Sequence, residues 1–140
     1  MSKAEDNIAV IRRAAEAVSS GDLAVIGQLT LADFVRHDLA EAFPRVEGTQ
    51  GVTDFLQMVR AALPDLRIEI EDIFASEDRV AMHIRISGTH QGEILGVPPT
   101  GKRVEYRSVN LYRMADGKIA ETWQLADIWG FMRQVGAIPT

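Results

Sequence analysis

Two carboxylates, Glu121 and Asp127, flank Trp123 and Leu125 in the stretch ETWQLADIWG. Side chains alternate between faces along a strand, so simple parity puts Glu121, Trp123, Leu125 and Asp127 on one face. A carboxylate beside apolar neighbours has its charged form disfavoured and can shuttle a proton. Asp127 is placed for that work because it falls where the strand ends and the apolar stretch IWGFMRQV begins a helix. The same position suits a helix N-cap, whose carboxylate accepts a hydrogen bond from the first turn. The spacing leaves both roles open, and they oppose each other, since a cap bond stabilises the charged form. Glu121 reads as an ion-paired or surface group near a wet strand end. Trp123 reads as a core aromatic, or as a flat wall for a ring-shaped ligand.

Other groups could bind or carry protons. Tyr106, Ser108, Asn110 and Tyr112 alternate along KRVEYRSVNLYRM. They form either a polar outer face or a row of neutral donors for a carbonyl or enolate oxygen. His90 shares parity with Met82, Ile84 and Ile86 and is expected to point inward, unless Gly88 breaks the register. His83 falls on the opposite, polar side. His37 lies in VRHD. An inward His37 or His90 could carry a proton, since histidine titrates near neutrality. No histidine pair has metal-ligand spacing, so no metal site is expected. The glycines Gly88, Gly92 and Gly96 match no phosphate-binding loop, and no nucleophile motif such as GxSxG occurs.

These residues need elements to hold them. Ile8, Ile11, Ala15 and Val18 fall at helical spacing, predicting a helix from about Ala4 to Ser19. A short second helix covers LAVIGQL, with Asp22 as its expected cap, and ADFVRHD follows as an extended segment. Val52, Phe55, Leu56, Val59 and Leu63 predict a third helix stopped by Pro64. Four strands then alternate, joined by SEDR, by the breaker-rich GVPPTG and by ADGK, a strong hairpin signal. Helices followed by hairpin-joined strands is the α+β pattern. The economical arrangement is a curved antiparallel sheet folded around the helices, open at one end as a pocket. Its outward set, with His83, Arg85, Thr122 and Gln124, is mixed in polarity and predicts a homodimer or higher homo-oligomer.

The 140 residues suit one domain spanning 1–140. A net charge of −5 with no basic stripe argues against a nucleic-acid partner. No apolar run reaches membrane-span length, so no membrane partner is expected. The chain has no cysteine, which excludes disulfides and thiolate metal sites and points to a reducing, cytoplasmic setting.

Read together, GTHQGEILGVPPTGKRV, YRMADGKIAETWQLAD and GFMRQVGAIP resemble the SnoaL-like polyketide cyclase family, with support from FVRHD, DFLQMVRAALPD and DRVAMHIRISGTH. The resemblance spans nearly the whole chain. It implies the nuclear transport factor 2-like cone and a cofactor-free intramolecular aldol closure of a small apolar carbonyl substrate. The family's catalytic aspartate matches Asp127, paired with Trp123. His37 matches a histidine of an HDP-like segment, although Leu39 replaces the proline, and His90 matches the family's GTH. The expected site is therefore Asp127 as acid/base, with His37, His90, Trp123, Tyr106 and Asn110 binding substrate. Related cones also act as isomerases, dehydratases or plain binding and oligomerisation domains, and fold alone does not choose among them.

Overall fold

The computed structural model describes residues 2–139. Helix α1 (Lys3–Ser20) opens on a capping box: Ser2 accepts from the Glu5 N–H while Glu5 reaches back to Ser2. It ends where Gly21 turns left-handed and donates to the Ala17 carbonyl. Ile11, Ala15 and Val18 form its buried stripe, as their spacing predicts. Helix α2 (Ala24–Leu29) has Leu23 at its cap position with no side-chain bond, so Asp22 does not cap it. Helix α3 (Gly48–Ala62) stops before Pro64. Helix α4 (Ile128–Gln134) closes the fold.

The strands are β1 (Thr30–Asp38), β2 (Val46–Glu47), β3 (Arg67–Ser76), β4 (Arg79–Thr89), β5 (Arg103–Ala115) and β6 (Lys118–Ala126). They make one six-stranded sheet in the order β2-β1-β6-β5-β4-β3. Hairpins force β3 to β6 into antiparallel neighbours. The expectation of a wholly antiparallel sheet needs one correction, because β1 lies parallel to β6. More than half of the chain separates those two strands, so no tight turn dictates their direction. The inner face of β4, with Val80, Met82, Ile84 and Ile86, is buried, and α1 packs against β3 and β4.

A β-bulge decides which residues face inward on β6. Met114 pairs with Ile119, but Tyr112 pairs with Thr122, so β6 spends three residues where β5 spends two. Ile119 and Ala120 are consequently both buried. One inserted residue exchanges the two faces of everything beyond it. Thr122, Gln124 and Ala126 therefore face the concave side, opposite Tyr112, Asn110 and Ser108. Glu121, Trp123 and Leu125 take the convex face, where Leu125 is 51% exposed. This corrects both the parity that put Trp123 inside and the one that put Thr122 and Gln124 outside.

Candidate active site

The concave face encloses a cavity of about 170 Å³. Its walls are mostly apolar: Ala14 and Val18 of α1, Phe55, Leu56 and Val59 of α3, and Ile68, Met82 and Ile84 of the sheet. One wall is polar. Arg36 and Asp38 come from β1, Tyr106, Asn110 and Tyr112 from β5, and Thr122 and Gln124 from β6. Parallel pairing sets Arg36 beside Thr122 and Asp38 beside Gln124.

Hydrogen bonds link this wall into one chain. Arg36 Nη2 donates to Gln124 Oε1. Gln124 Nε2 donates to Ser108 Oγ at 3.0 Å, and Ser108 Oγ donates to Asn110 Oδ1 at 2.8 Å. Asn110 Nδ2 donates to the Tyr112 hydroxyl at 2.9 Å. Because Tyr112 accepts there, its own O–H is left to donate elsewhere. Burial pushes the Tyr112 hydroxyl up to about 12, against the opposing influence of Asn110 and Arg36, so it stays protonated at neutral pH. Tyr106 is likewise pushed up to about 12 by burial, and its ring meets Phe131 edge-on at 5.5 Å.

Asp38 is the carboxylate on this wall. Its Oδ1 accepts from Ala40 N at 3.1 Å, and its Oδ2 from Ala42 N at 3.0 Å and Phe43 N at 2.7 Å. The loop thus fixes its orientation and leaves Oδ1 a free lone pair. Arg36 lies with its guanidinium carbon 4.2 Å from the centroid of the Phe55 ring. Burial lowers its pKa from the usual guanidinium value, while Asp38 and Tyr112 pull it back up.

The expected site residues divide sharply. Tyr106 and Asn110 line the cavity. Asp127 is exposed and caps α4, its Oδ1 accepting from Gly130 N at 2.9 Å. Its neighbours Ala126 and Ile128 line the cavity, but its carboxylate is turned to the helix. Trp123 and His37 sit on the convex face, so their placement as pocket residues is corrected. The bulge and the register His37↔Trp123 turn both outward, and their rings stack 5.3 Å apart. His37 Nε2 meets Glu121 Oε2 at 2.6 Å, and Arg113 reaches the same carboxylate. His90 is inward as expected, at 0% exposure, but lies off the cavity. Strand β4 ends at Thr89, and a loop wraps His90: its Nδ1 accepts from Thr100 N and meets Thr100 Oγ1, and Phe131 abuts its ring.

Sequence reasoning missed Arg36, Asp38, Thr122 and Gln124. Phe34, Arg36 and Asp38 alternate in ADFVRHD, so the parity of one core aromatic could have revealed the first two. The other two were hidden by the bulge. Among the described residues, no group of three or more His, Cys, Asp or Glu could hold a metal ion. No helix among them is long and apolar enough to cross a membrane.

A curved sheet wrapped on its N-terminal helices, with one polar wall in an apolar cavity, defines a nuclear transport factor 2-like cone with a small-molecule pocket. The chain belongs to the SnoaL-like polyketide cyclase family, whose profile matches residues 8–135. It is 26% identical over 131 residues to the aklanonic acid methyl ester cyclase DauD of Streptomyces sp. (strain C5), covering 92% of this chain and 81% of DauD. Among solved structures, AclR from Streptomyces galilaeus, described as a candidate hydroxylase, matches with a TM-score of 0.85 and 31% identity, over 96% of this chain and 98% of AclR. IdmH from Streptomyces antibioticus, described as a candidate polyketide cyclase, matches with a TM-score of 0.81 and 31% identity, over 93% of this chain and 98% of IdmH. Family membership makes the chain an enzyme of the cyclase class.

Proposed function

We propose that the chain closes a ring in a small polyketide-type carbonyl compound by intramolecular aldol addition. The observation that carries this reading is the hydrogen-bonded wall of Arg36, Gln124, Asn110 and Tyr112 at one side of an apolar cavity. Such donors, fixed before the reaction, stabilise negative charge as it develops on an enolate oxygen. The apolar walls fold the substrate so that its two reacting ends meet.

The steps balance without a co-reactant. A carboxylate takes the α-proton, and the electron pair moves to the carbonyl oxygen as an enolate. The enolate carbon then attacks a second carbonyl of the same molecule, giving an alkoxide. The carboxylic acid returns its proton to that alkoxide, and the product is an isomer of the substrate. Family resemblance assigns the proton transfer to Asp127, whose carboxylate is turned to the Gly130 N–H and would have to swing toward the cavity. Geometry favours Asp38, which lines the cavity with a free lone pair. Proton transfer by one placed group contributes roughly 10²–10⁴ in rate.

The test compares Asp38→Asn with Asp127→Asn on aklanonic acid methyl ester and on the free acid, following the closed isomer of unchanged mass by chromatography and mass spectrometry. Loss of about 10²-fold or more in Asp38→Asn alone supports Asp38. Loss in Asp127→Asn alone moves the role there. Unchanged turnover in both removes carboxylate catalysis. A second reading, a pocket that binds without turnover, is favoured by β6 lining the cavity with Ile119, Thr122, Gln124 and Ala126, none of them ionisable. Saturable binding with no isomer formed would select it.

A further inference from the structure

Arg36 is a buried cation, 5% exposed, in the wall of an otherwise apolar cavity. Its Nη2 is committed to a neutral amide, Gln124 Oε1. Its Nη1 is buried with no hydrogen-bond partner among the described residues. No carboxylate among them lies within salt-bridge distance of it. Asp38, the nearest in sequence, acts on it through space but makes no ion pair with it, its carboxylate being held by three loop N–H groups. Burying an unpaired charge is strongly unfavourable, and a donor left unmade adds to that cost. The guanidinium is nevertheless held in one plane, against Phe55 on one side and by the Gln124 amide at its edge. The amide cannot easily rotate away, because its Nε2 is engaged by Ser108. A fixed, desolvated guanidinium with a spare N–H is complementary to an anion, and especially to a carboxylate.

We infer that Arg36 receives a negatively charged group of the substrate, so that the pocket takes an aromatic or polyketide carboxylate in preference to its methyl ester. Tyr112, on the same wall, offers an O–H for the second oxygen of such a group. The preference is opposite to that implied by the name of DauD, a cyclase of a methyl ester, in which that charge is absent. The inference deepens the cyclase reading and rests on it only in taking this cavity as the substrate pocket. A cavity of about 150 Å³ holds one benzene ring. The present one, at about 170 Å³, therefore seats one ring of a bicyclic probe, with the rest directed along the open end.

Calorimetric titration of the full chain with 2-naphthoate and with methyl 2-naphthoate tests this. The acid is expected to bind at least about tenfold more tightly, as for one charge-assisted hydrogen bond. Arg36→Met is expected to abolish that preference by weakening the acid and sparing the ester, and Arg36→Lys to retain part of it. Equal binding of acid and ester, binding of neither, or an acid preference that survives in Arg36→Met overturns the inference. The acid-to-ester comparison in the unmodified chain decides the matter even if Arg36→Met does not fold. Because no step of the titration requires turnover, its outcome is independent of the cyclisation assay. Ring closure without an acid preference sinks this inference alone, and an acid preference without ring closure sinks the catalytic reading alone.

Discussion

Tyr112 shows how burial turns an ordinary side chain into a fixed donor. Its hydroxyl is pushed up to about 12, so it remains neutral wherever the protein is folded near pH 7, and Asn110 orients it. Tyr112→Phe keeps the ring and removes the donor. The expected result is a fall in turnover of about 10–10²-fold, with the variant's thermal midpoint within a few degrees of the parent, read by steady-state kinetics and calorimetry. Asp127 makes a contrasting case. Its carboxylate caps α4, and asparagine is an equally good cap. Asp127→Asn should therefore leave stability nearly unchanged, while Asp127→Ala should cost about 1 kcal/mol in denaturant unfolding. A large loss of stability in both would contradict the cap geometry.

At the scale of elements, the convex face ties β1, β5 and β6 together through one carboxylate. Glu121 accepts from His37 of β1 and Arg113 of β5, and these bonds, His37 foremost, hold its carboxyl below the usual range against the opposing effect of burial. The sign follows from linkage. A carboxyl whose folded pKa is depressed contributes stability above its unfolded value, near 4.3, and loses it as pH falls through the folded value. Glu121→Gln should thus be less stable than the parent at pH 7, with the gap closing as pH drops below about 4. A gap that stays constant from pH 7 to pH 3 in urea unfolding would refute this. The loop after β4 docks on α3 through Gln91 and Gly92, whose N–H groups share the Ala62 carbonyl. A Cβ at Gly92 would stand 2.5 Å from the Ala61 carbonyl oxygen. Gly92→Ala should therefore destabilise by about 1–3 kcal/mol, since backbone must shift to admit the methyl.

For the whole molecule, the convex face of the sheet is more apolar than its parity predicts. Val109 and Leu111 are 47% and 45% exposed, beside Leu125 and the half-buried Trp123. Contiguous exposed apolar surface on a sheet commonly marks an association site. We propose that a second copy of the chain covers it. Light scattering after size-exclusion chromatography at micromolar concentration should report a dimer, and Leu111→Lys with Leu125→Lys should report a monomer. A monomeric parent chain would refute the proposal.

Local spacing in the sequence determined three local features that need no tertiary information. The α1 stripe of Ile11, Ala15 and Val18, the alternation of Met82, Ile84 and Ile86, and the Asp116–Gly117 turn each follow from the period of one element or the chemistry of one turn. Motifs spread along the whole chain carried the family. The alternation of Ser108, Asn110 and Tyr112 was likewise visible in β5, where it runs unbroken, but spacing left open whether that row faces in or out, and the curve of the sheet decides it. The face of β6 was not visible, because the bulge beside Ala120 is set by how β5 and β6 pair across the sheet. That single extra residue sends Trp123 and Glu121 out and brings Thr122 and Gln124 in. Arg36 and Asp38 share the face of Phe34 by parity, but they join the polar wall only because β6 returns to lie parallel to β1, more than eighty residues on. Spacing within a segment put the polar groups of one strand on a common face, and only pairing between distant segments decided that this face lines the pocket and which charged groups join it.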